Sequence, residues 1–304
     1  AYEWEDDPIA LAKRDDIDVF VELIGGESGQ AKKATEEAIK HGKHVVTANK
    51  AMLAIHGQEL ASAAENSGVN LRFEAAVAGG IPVIKTLTES LAGNNITRIM
   101  GVMNGTCNYI LTRMEDTGLA YEEIFEEANQ LGFLEADPNL DVGGIDAAHK
   151  LVLLSSIAYG TQVDFNGAIL EGIGRITIED IKAASEMGYR IKLLGVSSLS
   201  DSGLSQTMRP CLVPLTSPLA QLNGGTNMII IEGDAVGQIV LRGAGAGEGP
   251  TASAVIADIL DIARGINIPV FGQPANSLIK VPAISTSVEN SFYLRLNLKD
   301  EAGI

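Results

Sequence analysis

The sequence predicts an α/β protein in which an incomplete doubly wound parallel sheet is followed by a separate α+β domain. Three observations predict it. Short apolar runs alternate with helix-length stretches over residues 17–74, and helices and then strands cluster over 81–242. Turn residues punctuate the junctions, with glycine supplying 33 of the 304 residues. Residues 17–24 read as a buried strand that stops at Gly25-Gly26. Ser28 is expected to cap a helix that runs to Lys40 and ends at Gly42. Residues 44–48 form a second short strand, a helix follows through Asn66, and a third strand covers 70–74. Strands separated by helices of this length imply right-handed crossovers and hence a parallel sheet. The pattern is half of a doubly wound, Rossmann-like nucleotide-binding fold. The Gly-x-Gly-x-x-Gly turn that seats a pyrophosphate on a helix N-terminus does not occur after a first strand, so the start of that domain is expected to lie outside this sequence.

From Gly80 the character changes. Residues 82–92 read as a helix and 97–104 as a strand ending in the polar turn Asn104-Gly105-Thr106. Helices are expected over 108–116, 121–131, 145–159 and 178–186, then strands over 190–198, 208–215, 228–233 and 238–242. Gly243–Gly249 is a glycine-rich turn, and Pro250-Thr251 opens a helix to Arg264. Past Gly265 the composition turns to Pro and Ser, as in a linker, and 291–298 alternates like a strand. The division that follows is 1–80, a partial nucleotide-binding domain; 81–242, the α+β domain; 243–270, a return segment packing on the first domain; and 271–304, a linker with the opening of a further unit.

Bulk properties exclude several classes of function. The hydrophobic fraction of 46% and charged fraction of 20% are those of a globular protein. A net charge of −17 argues against nucleic acid and anionic membrane as partners, since phosphate binding needs a basic surface. No apolar run reaches the roughly 18–20 residues of a membrane span. The acidic first residues do not resemble a signal peptide, and Cys107 and Cys211 are too few for a disulfide framework, so a cytoplasmic location is expected. The four histidines share no metal-ligand spacing with the cysteines.

Residues 135–150 form the densest polar cluster. Gly143-Gly144 breaks the chain, and the helix that follows sets Asp146 and Lys150 four residues apart on one face. The rest of that helix is apolar, so the lysine is held near carboxylates in a buried setting, which suits a proton-handling group. The plainer reading is a partly exposed ion pair worth about 0.3–0.5 kcal/mol. Thr47-Ala48-Asn49-Lys50 stands at the end of a parallel strand, where doubly wound sheets bind ligands, or is a surface turn. The Gly pair after Glu74 could free carbonyls to bind a cation beside that carboxylate, or be a tight turn into the helix at Pro82. Cys107, among polar neighbours, is either the thiol nucleophile of a phosphorylating aldehyde dehydrogenase or a small buried residue behind an Asn/Thr cap. The glycines of 243–249 could approach a phosphate or nicotinamide closely, although a lone glycine-rich loop is a weak signal. A non-catalytic binding module is the remaining alternative, because the glycine fingerprint is missing.

Taken in order, Leu23-Ile24-Gly25-Gly26, Thr47-Ala48-Asn49-Lys50, Asn104-Gly105-Thr106, the 135–150 cluster and Gly243–Thr251 resemble homoserine dehydrogenases over nearly the whole chain. The resemblance implies a nucleotide-binding domain joined to an α+β catalytic domain that also dimerises, as a homodimer or homotetramer. It implies NADP- or NAD-dependent interconversion of L-homoserine and L-aspartate 4-semialdehyde, in the biosynthesis of threonine, methionine and isoleucine. Carried onto this sequence, Lys150 would exchange a proton with the substrate oxygen, with Asp146 orienting substrate or water. Glu135 would hold the substrate amino group, with Asp141 also in the substrate set. Lys50, Asn49, Gly25, Gly245 and Gly247 would meet the cofactor. Glu74 with the carbonyls of Val77, Gly79 and Ile81 would form a monovalent cation site for sodium or potassium. The end of the chain would open an ACT-type regulatory domain.

Overall fold

The computed structural model describes residues 3–134, 137–285 and 291–296. A short helix α1 (Pro8–Ala12), capped by Asp7, leads into β1 (Val19–Glu22). Helix α2 (Gln30–Lys40), β2 (His44–Thr47), α3 (Lys50–Asn66) and β3 (Leu71–Arg72) follow. The strands pair in parallel in the order β1-β2-β3, with Val45 opposite Leu71. Successive strand residues face opposite sides. Val45 accordingly joins a core with Ala34, Ala38 and Leu60, while Val46 packs on the other face with Ala75, Ala254 and Val255. Ser28 does not cap α2. The N-cap is Gly29, with φ 79° and no side-chain bond, because the turn after Gly26 extends one residue further than the sequence suggests.

The expected helix over 82–92 is shorter and irregular. It consists of α4 (Val83–Lys85) and a π-helical turn over Thr86–Ser90. Thr86 and Thr88 donate their hydroxyls to the carbonyls of Pro82 and Ile84, at 2.6 and 2.9 Å, which draws those carbonyls out of an ideal helix ladder.

The second unit is a six-stranded sheet with helices on one face. Its elements are β4 (Ile96–Val102), α5 (Gly105–Thr117), α6 (Tyr121–Gln130), α7 (Pro138–Val142), α8 (Ile145–Tyr159), β5 (Ile169–Leu170), α9 (Ile178–Glu186), β6 (Tyr189–Ser200), β7 (Gly203–Pro214), β8 (Thr226–Gly233) and β9 (Gly237–Ala244). The strand order is β5-β7-β6-β4-β8-β9, antiparallel except where β5 meets β7. β7 begins well before the expected 208, because Ser205, Gln206 and Thr207 look like a loop yet are buried in the hairpin with β6. Gln206 finds a partner in the carbonyl of Asp164 at 3.0 Å. Lys192 of β6 is buried and donates to Asn108 Oδ1 (2.8 Å) and the Leu222 carbonyl (2.6 Å), and burial lowers its pKa to about 8.

Helix α8 is apolar nearly all round because it is covered on both sides, by α3 from the first unit and by β6 and β7 from the second. The return helix α10 (Glu248–Ala263) packs Ala254 and Val255 on the β2 face of the first sheet. The strand expected over 291–298 does not form in residues 291–296. No other strand pairs with that segment among the described residues. It is held instead by Tyr293, whose hydroxyl donates to Asp180 at 3.1 Å, and by Arg295, 3.4 Å from the same carboxylate. No helix among the described residues is long and apolar enough to cross a membrane.

Candidate functional site

A cleft of about 840 Å³ lies between the two units. One wall is the carboxyl end of the parallel sheet, Gly25, Gly26, Ala48, Asn49 and Lys50; the other is the start of α8, with Asp146 and His149, and the ring of Phe165. The parallel sheet positions its wall through a buried relay. Glu22, at the end of β1, accepts from the amides of Ile24 and Gly25 at 2.7 and 3.0 Å and from the Thr47 hydroxyl at 2.5 Å. The Asn49 side chain caps α3 through Met52 N (3.0 Å) and donates to the Gly26 carbonyl (2.8 Å), tying the two strand ends together. Lys50, the first residue of α3, is thereby set at the cleft.

On the facing wall, Asp146 sits between two lysines. Its Oδ1 is 3.0 Å from Lys50 Nζ and its Oδ2 2.8 Å from Lys150 Nζ, and Asn104 Nδ2 donates to it at 3.2 Å. Burial alone would raise the Asp146 pKa, but the Lys150 and Lys50 charges overcome it and hold the carboxyl well below the usual carboxylate range. Lys150 also donates to the Met103 carbonyl at 2.9 Å. Asp141 joins through Asn104, whose Nδ2 donates to its Oδ1 at 2.9 Å. The plainer reading of an exposed ion pair fails here, since Asp146 and Lys150 are only 6% and 8% exposed.

The sequence-derived residues fall into two groups. Gly25, Asn49, Lys50 and Asp146 line the cleft, and Lys150 and, through Asn104, Asp141 stand behind that wall in contact with the Asp146 cluster. Glu74, Val77, Gly79 and Ile81 lie on the loop after β3, where Gly245 and Ala246 approach so closely that a Cβ on Gly79 would meet the Gly245 carbonyl at 2.7 Å. Gly247 takes a φ of 113° as the N-cap of α10. Glu135 lies outside the described residues.

Sequence reasoning passed over Asn104, His149 and Phe165 as site residues. Asn104 leaves a readable trace, a cap residue at a strand end. His149 shares a helix face with Asp146, three residues away, but its neighbour Phe165 is distant in the chain; the rings are 4.5 Å apart. Burial lowers the His149 pKa and favours the neutral imidazole.

Cys107 is fully buried in α5. Its amide bonds to Asn104 Oδ1 (2.8 Å), its thiol donates to the Asp141 carbonyl (3.2 Å), and burial pushes the thiol pKa well up. A thiolate nucleophile is disfavoured by this setting, and the buried-cap reading fits it. Iodoacetamide should label Cys107 only after unfolding; peptide mass spectrometry showing its labelling in the native protein would refute that assignment.

Two family descriptions match the chain: the homoserine dehydrogenase domain over residues 82–260, and the homoserine dehydrogenase NAD-binding domain over residues 4–74. A homoserine dehydrogenase of Neisseria gonorrhoeae is 46% identical, the match covering 98% of this chain and 70% of that protein. One from Pseudomonas aeruginosa is 44% identical over 97% of this chain and 69% of its own length. Among solved structures, a homoserine dehydrogenase from Thiobacillus denitrificans superposes with a TM-score of 0.89 at 44% identity, covering 92% of this chain and 66% of that one. A hyperthermophilic archaeal homoserine dehydrogenase solved with NADPH superposes at 0.75 with 28% identity, covering 88% of this chain and 77% of that one. The chain thus spans about two thirds of the length of the bacterial relatives it matches. An NAD-binding parallel sheet, a second sheet domain and a lysine–aspartate pair at the cleft between them accord with one assignment: this chain belongs to the homoserine dehydrogenase family of NAD(P)-dependent oxidoreductases.

Proposed function

We propose that the protein carrying this chain interconverts L-homoserine and L-aspartate 4-semialdehyde, with Lys150 as the group that exchanges the proton at the substrate oxygen. The observation that carries this reading is the setting of the Lys150 ammonium. An ammonium has three N–H donors, and among the described residues two are engaged, by Asp146 and the Met103 carbonyl. The third is left for a substrate oxygen beside the cleft. The nicotinamide, when bound, supplies or accepts the hydride at the substrate carbon. The Lys50 and Lys150 ammonium groups, both held by Asp146, would place cationic donors near an oxygen that develops negative charge. Asp141 and Glu135 complete the substrate set, with Glu135 assigned to the amino group. A spectrophotometric assay of the full-length protein with homoserine and NAD or NADP tests the reading; no nucleotide reduction with either would overturn it.

The residues present fit the nicotinamide half of NADP or NAD. Gly25 and Gly26 adopt left-handed φ values of 83° and 87°, and a Cβ on Gly25 would meet nothing within 4 Å, which leaves its backbone open to a ligand at the strand end. Asn49 and Lys50 would hold the cofactor from one side and the Gly245–Gly247 turn from the other.

A monovalent cation, sodium or potassium, fits the donor chemistry near Glu74. Among the described residues no group of three or more His, Cys, Asp and Glu forms a metal cluster, so the candidate set is one carboxylate with the carbonyls of Val77, Gly79 and Ile81. Glu74 is 3% exposed, and among the described residues its oxygens accept only main-chain amides, of Ile84 and Lys85, both at 2.9 Å. Burial raises its pKa to about 7, a setting that a cation would relieve. A raised pKa means stability present below about pH 4.5 and lost as the pH climbs through about 7. Thermal melts in cation-free buffer should show that loss; Glu74→Gln should flatten it, and sodium or potassium should raise the wild-type Tm at pH 8 alone. Identical pH curves for both proteins would refute this role. The assembly we assign is a homodimer or homotetramer in the cytoplasm.

A further inference from the structure

Asn227 is 1% exposed on β8, and nothing in its sequence context marks it. The β4–β8 ladder ends with Val102 opposite Met228, so the next carbonyl, that of Met103, has no ladder partner on β8. The Asn227 side chain takes that place, donating Nδ2 to the Met103 carbonyl at 3.1 Å. The same carbonyl accepts Lys150 Nζ at 2.9 Å. A carbonyl oxygen has two lone pairs, so both are now assigned, one to each nitrogen. On its other side Asn227 pairs with Gly243 of β9, whose continuation brings Gly245 against the amide: a Cβ on Gly245 would fall 2.0 Å from Nδ2 and 2.1 Å from Cγ. Asn227 Oδ1 is buried and has no hydrogen-bond partner among the described residues. A buried amide oxygen left in this state costs stability, so its retention needs another explanation.

The geometry points to Asn227 as a positioning residue that fixes the Met103 carbonyl, and through it the Lys150 ammonium, in register with the Gly245 turn. This rests on the reading of Lys150 as the proton-exchanging group. With the amide removed, the Met103 carbonyl has Lys150 as its sole donor and the ammonium loses its set direction, so proton transfer slows while substrate binding is spared.

The experiment uses the full-length protein and the substitution Asn227→Leu, which keeps the branched side-chain skeleton and deletes the donor. The expected result is kcat lowered about tenfold or more, as for a small displacement of a reacting group. The homoserine KM should stay within about twofold of wild type, and the solvent deuterium isotope effect on kcat should rise as proton transfer becomes rate-limiting. A merely structural role lowers the amount of folded enzyme and leaves that isotope effect unchanged, which overturns the inference, as does an unaltered kcat. If circular dichroism shows that the leucine variant does not fold, Asn227→Ala, which removes the amide without adding bulk, is read by the same criteria. A wild-type protein that fails to oxidise homoserine overturns the underlying reading instead, so the two failures are distinguishable.

Discussion

Lys150→Ala lowers kcat by about 10² or more, the range for loss of a general acid–base group. The magnitude follows from geometry: the ammonium sits 2.8 Å from Asp146 and 2.9 Å from the Met103 carbonyl, and alanine removes the proton-exchanging group from that position. Lys50 reaches the same aspartate from the opposite wall, but through Oδ1, so it cannot take over without leaving its own place at the head of α3. Steady-state rates at saturating homoserine and nucleotide check the prediction. Full activity in the alanine variant would sink the assignment of Lys150.

Asp146→Ala is expected to have the largest effect on stability. Removing one partner of a buried ion pair leaves uncompensated charge, typically at about 3–5 kcal/mol. Here two ammonium groups lose the carboxylate that they share. Differential scanning calorimetry should register a fall in Tm of roughly 10 °C for this loss. The pH dependence has a definite sign. Asp146 has a depressed pKa, so its contribution is present above the ordinary carboxylate pKa of 3.8 and is lost as pH falls below it. The variant should therefore show a shallower acid limb than the wild type. A Tm within a degree or two of wild type at pH 7 would mean that the lysines are solvated and that the buried pair contributes little.

Much of the fold was legible because it is written in local chemistry. The parallel strands at 44–47 and 71–72, the helix at 145–159 and the helix after Gly247 each carry an apolar run of the right period bounded by glycine, proline or asparagine. Two of the misread elements have polar residues that are satisfied from a distance. Gln206 makes β7 long by bonding the Asp164 carbonyl, and the segment at 291–296 alternates like a strand but meets the side of α9 rather than a strand edge.

The site divides in the same way. Asp146 and Lys150 could be placed together from sequence, because helical spacing fixes residues four apart on one face. Lys50, Asn49 and Gly25 could be placed at a strand end by the rule for doubly wound sheets. Whether Cys107 was a nucleophile was undecidable locally, since burial and the Asp141 carbonyl set its thiol chemistry.

The parallel half-domain, the α+β second half, the Asp146–Lys150 pair and the resemblance that names the chemistry were all readable from residue order alone. It took the packed molecule to show that Lys50 and Lys150 share one carboxylate, that Cys107 is sealed away, and that Asn227 and Lys150 share the Met103 carbonyl. The physical reason is range. Propensity, capping and periodicity act over a few residues and leave a trace in the chain. Desolvation, ion pairing and the filling of a carbonyl's second lone pair join distant residues, Asn227 and Met103 being 124 positions apart, and exist only once the sheets have packed.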